Sequence, residues 1–239
     1  MGLSRRDIAF IAFSVLTLAL LVWLGTWQVQ RLQWKEDLIG RLTAQAASEP
    51  LPISEIEARA AAGDDVEFMR ATATGRFVHD NELFVFTTVD GEMGWKLVTP
   101  LDMGDTAVLV DRGFIPYDLK APAARPQSRP DGTVTVTGVV RPHDATRAPF
   151  VPDNDVDANI WHWWSLPAMA EAAGVERASP FILQAEAQPG APAWPRASTP
   201  DPADIPNRHL AYAITWYGLA VMLVIVNTLY LLRRRRTNH

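Results

Sequence analysis

Cysteine does not occur in the 239 residues. That removes disulfides, cysteine metal sites and thiol nucleophiles together. A domain of this size needs no covalent staples, so the absence is compatible with a place outside the cytoplasm. Histidine is scarce. The five are His79, His143, His162, His209 and His239, and none form an H-x-x-x-H pair, which argues against a zinc enzyme. Neither G-x-G-x-x-G nor a P-loop is present. Ser165, Ser179 and Ser198 lack the glycine context of a nucleophile elbow. Asp153, Asp155 and Asp157 begin like a calcium loop, but the sixth position is Ala158 and the twelfth Trp164, so they are read as a solvated loop. No internal repeat is evident.

Acidic residues are nearly missing from the two ends. Arg5, Arg6 and Arg233 to Arg236 lie outside two apolar spans, with Asp7 the one acidic residue beside them. The region between holds 16 basic and 26 acidic residues, a balance of −10 that makes nucleic acid an unsuitable partner. Basic tails mark the cytoplasmic side of a membrane, which places both ends inside and the middle outside.

The first span, Ile8 to Leu24, has 17 uncharged residues, and Gly25, Thr26 and Trp27 extend it. A cleaved signal peptide of the twin-arginine kind is the rival reading, because SRRDI precedes the run. No small-x-small site follows closely, which favours a retained helix. Trp23, Trp27, Trp34 and Leu38 then share a face at about 100° per residue, predicting an amphipathic stalk that continues the helix. Trp34, about 10 Å beyond Trp27 by helix rise, is expected to pack on the outer domain.

Between the spans the period changes. EFMRATATGRFV, NELFVFTTV, GWKLVTPLDM, TAVLVDRGFIP and GTVTVTGVVRPHD are β-branched or aromatic runs set off by turn signals, and they predict an antiparallel meander curling into a sandwich or partial barrel. Tyr117 to Pro130 is expected as a surface excursion. A short helix starts at Pro167 and stops at Gly174, and SPFILQAE is a last strand. The organisation is therefore a tail at 1–7, a membrane helix at 8–27, a stalk and loop at 28–66, a β-rich domain at 67–186, a Pro-rich strap at 187–208, a second membrane helix at 209–232 and a basic tail at 233–239. The fold class is α+β: two transmembrane helices flanking a mostly antiparallel β domain with a short helix.

Leu210 to Leu232 carries no charge over 23 residues, long enough to cross a hydrocarbon core of about 30 Å. Its mouth holds His209, Tyr212, Trp216 and Tyr217. Ionisable groups beside a membrane span are functional suspects. His209, Ala213, Trp216, Ala220, Leu223 and Asn227 share one face, with Tyr212 at its edge. Small residues there admit another helix or a flat ring, and a neutral imidazole is the common axial ligand of haem iron. The competing reading is an interfacial histidine among headgroups beside an ordinary aromatic belt. His79 and His143 sit in turns and are expected to face solvent. His162, between two tryptophans, suits packing. Arg112 can pair with a haem propionate or with a neighbouring carboxylate, and the carboxylate is favoured.

GTWQVQRLQWKEDLI, GWKLVTPL, VDRGFIP and NRHLAYAITWYGLA occur in an order and spacing that resemble the surfeit locus family of cytochrome c oxidase assembly factors, bacterial type. The resemblance implies an inner-membrane protein with a periplasmic domain that binds haem a and assists its insertion into oxidase subunit I. The sheet domain is expected to dock on the oxidase or on haem A synthase, the enzyme that makes haem a. The resemblance makes His209 the cofactor-binding and iron-ligating histidine and Trp27 the tryptophan of the first-span motif. The mechanism expected from these residues has Trp27, Tyr212 and Trp216 walling the porphyrin. No catalytic residue is implied. The family often carries Arg-Asp before the short helix, where this chain reads Trp163-Trp164-Ser165, so any contact resting on that pair is absent here. Two other classes stay open: a haem-free scaffold for oxidase intermediates, and a membrane enzyme of haem modification, which a lone membrane histidine supports poorly.

Overall fold

Residues 5–46 contain no proline, and only Gly25 and Gly40 among weak helix formers of that kind; they form one helix, α1, Arg5–Ala46. Its 42 residues rise about 63 Å, roughly twice the hydrocarbon thickness, so it continues well past a membrane crossing, as the stalk requires. A second long helix, α4, is His209–Thr237. Both are long and apolar enough to span a membrane. The computed structural model describes residues 5–142, 147–197 and 207–237. The expectations for His143, Ser198, His239 and the later prolines of the strap lie outside these residues. Two compact units result: α1 up to Arg41 together with α4, and a β unit beginning at Leu42. On α1 the Arg31 guanidinium covers the Trp34 ring, 4.0 Å from its centroid, and Trp34 stays about half exposed.

The β unit contains β1 (Leu51–Pro52), α2 (Ile53–Ala61), β2 (Arg70–Phe77), β3 (Leu83–Val89), β4 (Glu92–Asp102), β5 (Ala107–Pro116), β6 (Thr133–Pro142), α3 (Leu166–Ala172) and β7 (Ala178–Ala185). The sheet order is β1-β2-β6-β7-β5-β4-β3, and β2 also pairs with β4 through Arg76–Asp102 and Phe77–Leu101. Strands β2, β6, β7, β5 and β4 therefore close on themselves as a partial barrel.

The expected strands are present, but the meander holds only for β3, β4 and β5. Strand β6 lies against β2 in seven residue pairs, and β7 fits between β5 and β6, parallel to β5. A parallel pair needs a long crossover, and the 61 residues from Tyr117 to Arg177 supply it.

Strand β2 alternates in the manner of a one-faced strand, with Ala71 and Ala73 buried and threonines outward. Strands β5 and β7 do not. Val108, Val110, Phe181 and Leu183 join the layer covered by Ile53 and Ile56 of α2. Leu109 and Ile182 point the other way, to a layer under α3 with Met169 and Trp161. Burial on both faces explains why VLV and FIL read as unbroken apolar runs.

Closure depends on one glycine. A Cβ on Gly75 would stand 2.2 Å from the Asp102 carbonyl oxygen, on the backbone of the strand that completes the ring. Gly75→Val is therefore expected to open the β2–β4 junction and cost about 1–3 kcal/mol by overpacking. Hydrogen exchange of the Arg76 and Phe77 amides in detergent-solubilised protein checks it; unchanged protection there would show that the ring yields without cost.

Candidate functional site

Helices α1 and α4 run antiparallel, and the side chains that join them can be followed from end to end. The Phe10 and Tyr230 rings lie 5.2 Å apart. Ser14 Oγ donates to Asn227 Oδ1 at 3.0 Å. Gly25 receives the Tyr217 ring: a Cβ there would meet its Cε1 at 2.8 Å, so only glycine permits this approach. Tyr217 OH and Thr26 Oγ1 share a hydrogen bond of 3.1 Å. At the opposite end from Phe10 and Tyr230, His209 Nδ1 meets Gln28 Oε1 at 2.7 Å.

On α4 the less exposed positions are His209, Ala213, Trp216, Ala220, Leu223 and Asn227, spaced alternately by four and three. That 3.5-residue period is the seam of two packed helices. The face singled out in the sequence is thus the one that packs on α1, with Ala213 and Ala220 fully covered. The matching seam of α1 runs through Ser14, Leu21, Gly25 and Gln28, not through its tryptophans. Trp23 and Trp27 are turned outward, at 62% and 47% exposure.

The structure therefore brings together part of the predicted site. His209 sits in the seam, half-buried, and its Nε2 has no hydrogen-bond partner among the described residues. Trp216 lies two turns along the same face, about 10 Å by helix rise. Its buried Nε1–H also lacks a partner among the described residues. An unpaired buried donor is uncommon and calls for an acceptor. Trp27, next in sequence to Gln28, and Tyr212, one turn from His209, present half-exposed rings. Among the described residues no ring contact joins Trp27, Tyr212 and Trp216. Along the helix pair thus lie one imidazole nitrogen, one buried indole N–H and open aromatic surface. Gln28 was not among the expected residues. Its signal was a polar residue at the seam spacing of Ser14, Leu21 and Gly25.

The β unit holds a second concentration of polar groups. Glu82 is buried and faces two guanidiniums. Arg125, wholly buried, reaches it at 2.6 Å, and Arg112 stands at 3.8 Å. Arg125 Nε donates to Leu119 O, Nη1 to Ser128 Oγ and Glu82 Oε1, and Nη2 to Glu82 Oε2 and Lys120 O. All five of its N–H groups thus have acceptors. Arg112 is less well served: Nη2 donates to Ser128 O, while Nη1 has no hydrogen-bond partner among the described residues. Burial pushes its guanidinium down to about 10, against the attraction of Glu82 and with Arg125 pushing the same way. The neighbouring carboxylate was the favoured partner for Arg112, and Glu82 is that carboxylate.

His79 corrects an expectation. It does not face solvent: its side chain is 12% exposed, with Nδ1 3.4 Å from Glu82 Oε1 and Nε2 3.1 Å from Pro130 O. The turn folds back over Glu82 because this buried carboxylate gathers donors. The excursion from Tyr117 to Pro130 is likewise pinned from within by Arg125 and Ser128. His162 packs, its ring 6.0 Å from that of Phe86.

These features define a class of chain in which two helices of membrane-spanning length bracket a small β barrel, with a histidine held in the helix seam. The SURF1 family profile matches residues 15–221. Surfeit locus protein 1 of Takifugu rubripes is 35% identical over 214 residues, covering 82% of this chain and 86% of that one. Its Homo sapiens counterpart is 34% identical over 239 residues, covering 91% and 76%. A SURF1-like protein of Caenorhabditis elegans is 30% identical over 254 residues, covering 93% and 75%. The chain belongs to the SURF1 family.

Proposed function

We propose that the protein is a non-enzymatic assembly factor for a haem a-containing cytochrome c oxidase, which holds haem a at His209 and assists its insertion into subunit I. In this reading the chain spans the inner membrane twice, both termini are cytoplasmic, and the β domain is periplasmic. Basic tails at both ends support that sidedness. The observation that carries the reading is the His209 imidazole at the mouth of the helix pair, its Nε2 without a hydrogen-bond partner among the described residues. The unpartnered Trp216 Nε1–H on the same face accompanies it. Haem a is cargo: His209 would hold its iron, Trp27 and Tyr212 would offer flat apolar surface, and Trp216, on the same face, would supply an indole N–H. Subunit I and haem A synthase are the proposed partners, meeting the β domain on the periplasmic side.

Purification of the full chain in detergent, from cells with and without haem a biosynthesis, tests this. The expected result is a haem a spectrum in the first preparation only. Colourless protein from haem a-producing cells would remove the cargo role.

A second reading, a haem-free scaffold, is favoured by one observation: the small residues of the seam already pack against α1. It predicts that oxidase subunits co-purify with protein that carries no haem under any condition.

A further inference from the structure

Gln28 is the residue of this site that neither the family resemblance nor the aromatic pattern singles out. It is 9% exposed, lies in the α1 seam, and its carbonyl oxygen is 2.7 Å from His209 Nδ1. A carbonyl oxygen only accepts, so Nδ1 must carry the proton in this contact. A neutral imidazole has one N–H, and its placement on Nδ1 leaves the lone pair on Nε2. The other tautomer would put a proton where a metal must bind and would set two acceptors against each other at Nδ1.

We infer that Gln28 is a positioning residue: it fixes the Nδ1–H tautomer and the ring orientation of His209, so that Nε2 is presented to haem iron. The inference rests on the haem-holding role proposed for His209 and adds a second residue to it. Ligating histidines almost always donate their other ring N–H to such a partner, and loss of the partner lowers metal affinity by about 10–100-fold.

A purely structural part for Gln28 is the alternative, and the ladder between the helices separates the two. A polar contact between membrane helices contributes about 0.6 kcal/mol on average. Ser14–Asn227, Thr26–Tyr217 and the Gly25–Tyr217 packing remain when Gln28 is replaced, so the helix pair persists without it. Asn227→Leu supplies the control. It deletes a contact of the same kind at the far end of the seam, where no ligating group stands.

The experiment uses the full chain in detergent and two readouts. In haem-free protein, nitrogen-15 NMR of the His209 ring reports the tautomer directly. Wild type is expected to show Nδ1 protonated, Gln28→Leu a mixture, and Gln28→Glu, which keeps an acceptor oxygen, the wild-type form. In the second readout haem a is titrated into each protein. Gln28→Leu is expected to bind about 10–100-fold more weakly, Gln28→Glu near wild type, and Asn227→Leu as wild type despite its lost interhelical contact. A wild-type ring protonated on Nε2, or Gln28→Leu binding haem a as tightly as wild type, overturns the inference. If no variant binds haem a while the tautomer follows Gln28 as expected, the haem-holding role falls and the positioning of the ring stands.

Discussion

Glu82→Gln is expected to destabilise the β unit by about 3–5 kcal/mol, the range for breaking a buried ion pair by removal of one partner. The reason lies in how many groups one carboxylate serves. Arg125 and Arg112 both depend on it, and Arg125 is wholly buried. The amide would leave two guanidiniums without a counter-charge. Arg125→Met is expected within the same range but lower, because Glu82 keeps Arg112 and His79 nearby while Leu119 O and Lys120 O lose their donor. Arg112→Met is expected to change stability by no more than about 1 kcal/mol. Its guanidinium is desolvated, sits farther from the carboxylate, and has one buried nitrogen without a hydrogen bond among the described residues. Burial lowers its folded pKa to about 10, below the ordinary arginine value. Its charge is thus a penalty present in full below pH 10 and relieved as pH rises through that value. Urea unfolding of the detergent-solubilised chain, followed by hydrogen exchange in β3 and residues 117–130, orders the three variants. Equal losses for Arg112→Met and Arg125→Met would refute the unequal sharing of Glu82.

His209→Ala is expected to abolish haem a retention while the helix pair remains assembled. An axial ligand contributes more than its hydrogen-bonded partner, so the loss should exceed about 100-fold, the upper end for an outer-shell group. The structural cost is small by comparison, one interhelical contact of about 0.6 kcal/mol. The two effects are measured separately, by absorbance of the purified variant and by its thermal unfolding without haem. A variant with wild-type haem absorbance would exclude His209 as ligand. A colourless variant that also unfolds early would point to the scaffold reading instead.

Strand positions and the start and stop of α3 were legible because they follow from local periodicity and turn chemistry. The neighbours of each strand were not. That β6 meets β2 and β7 enters beside β5 is decided by crossovers of tens of residues, which leave no local pattern. At the membrane, the aromatic face of α1 drew attention because Trp23, Trp27 and Trp34 are large. The helix contact falls on small and polar residues instead, as expected where lipid already satisfies apolar surface. His209 was legible as a charge-capable group in an apolar setting. Gln28 was not, since a single glutamine at the end of a span resembles any headgroup-level polar residue until its partner, 181 positions away, is in place. The buried Glu82 cluster was equally silent, since its members come from β5, the turn before β3 and a proline-rich stretch.

The Asn159–Trp161 segment lies along the outer edge of β3. Trp161 donates its amide to Phe84 O and accepts from the Phe86 amide, and the Asn159 side chain donates to Glu82 O. An outermost strand of apolar and aromatic residues invites pairing with a second molecule. This short segment occupies part of that template, at Phe84 and Phe86, with the chain's own backbone. Damage to it would therefore show first as self-association at rising protein concentration, before any loss of the folded barrel.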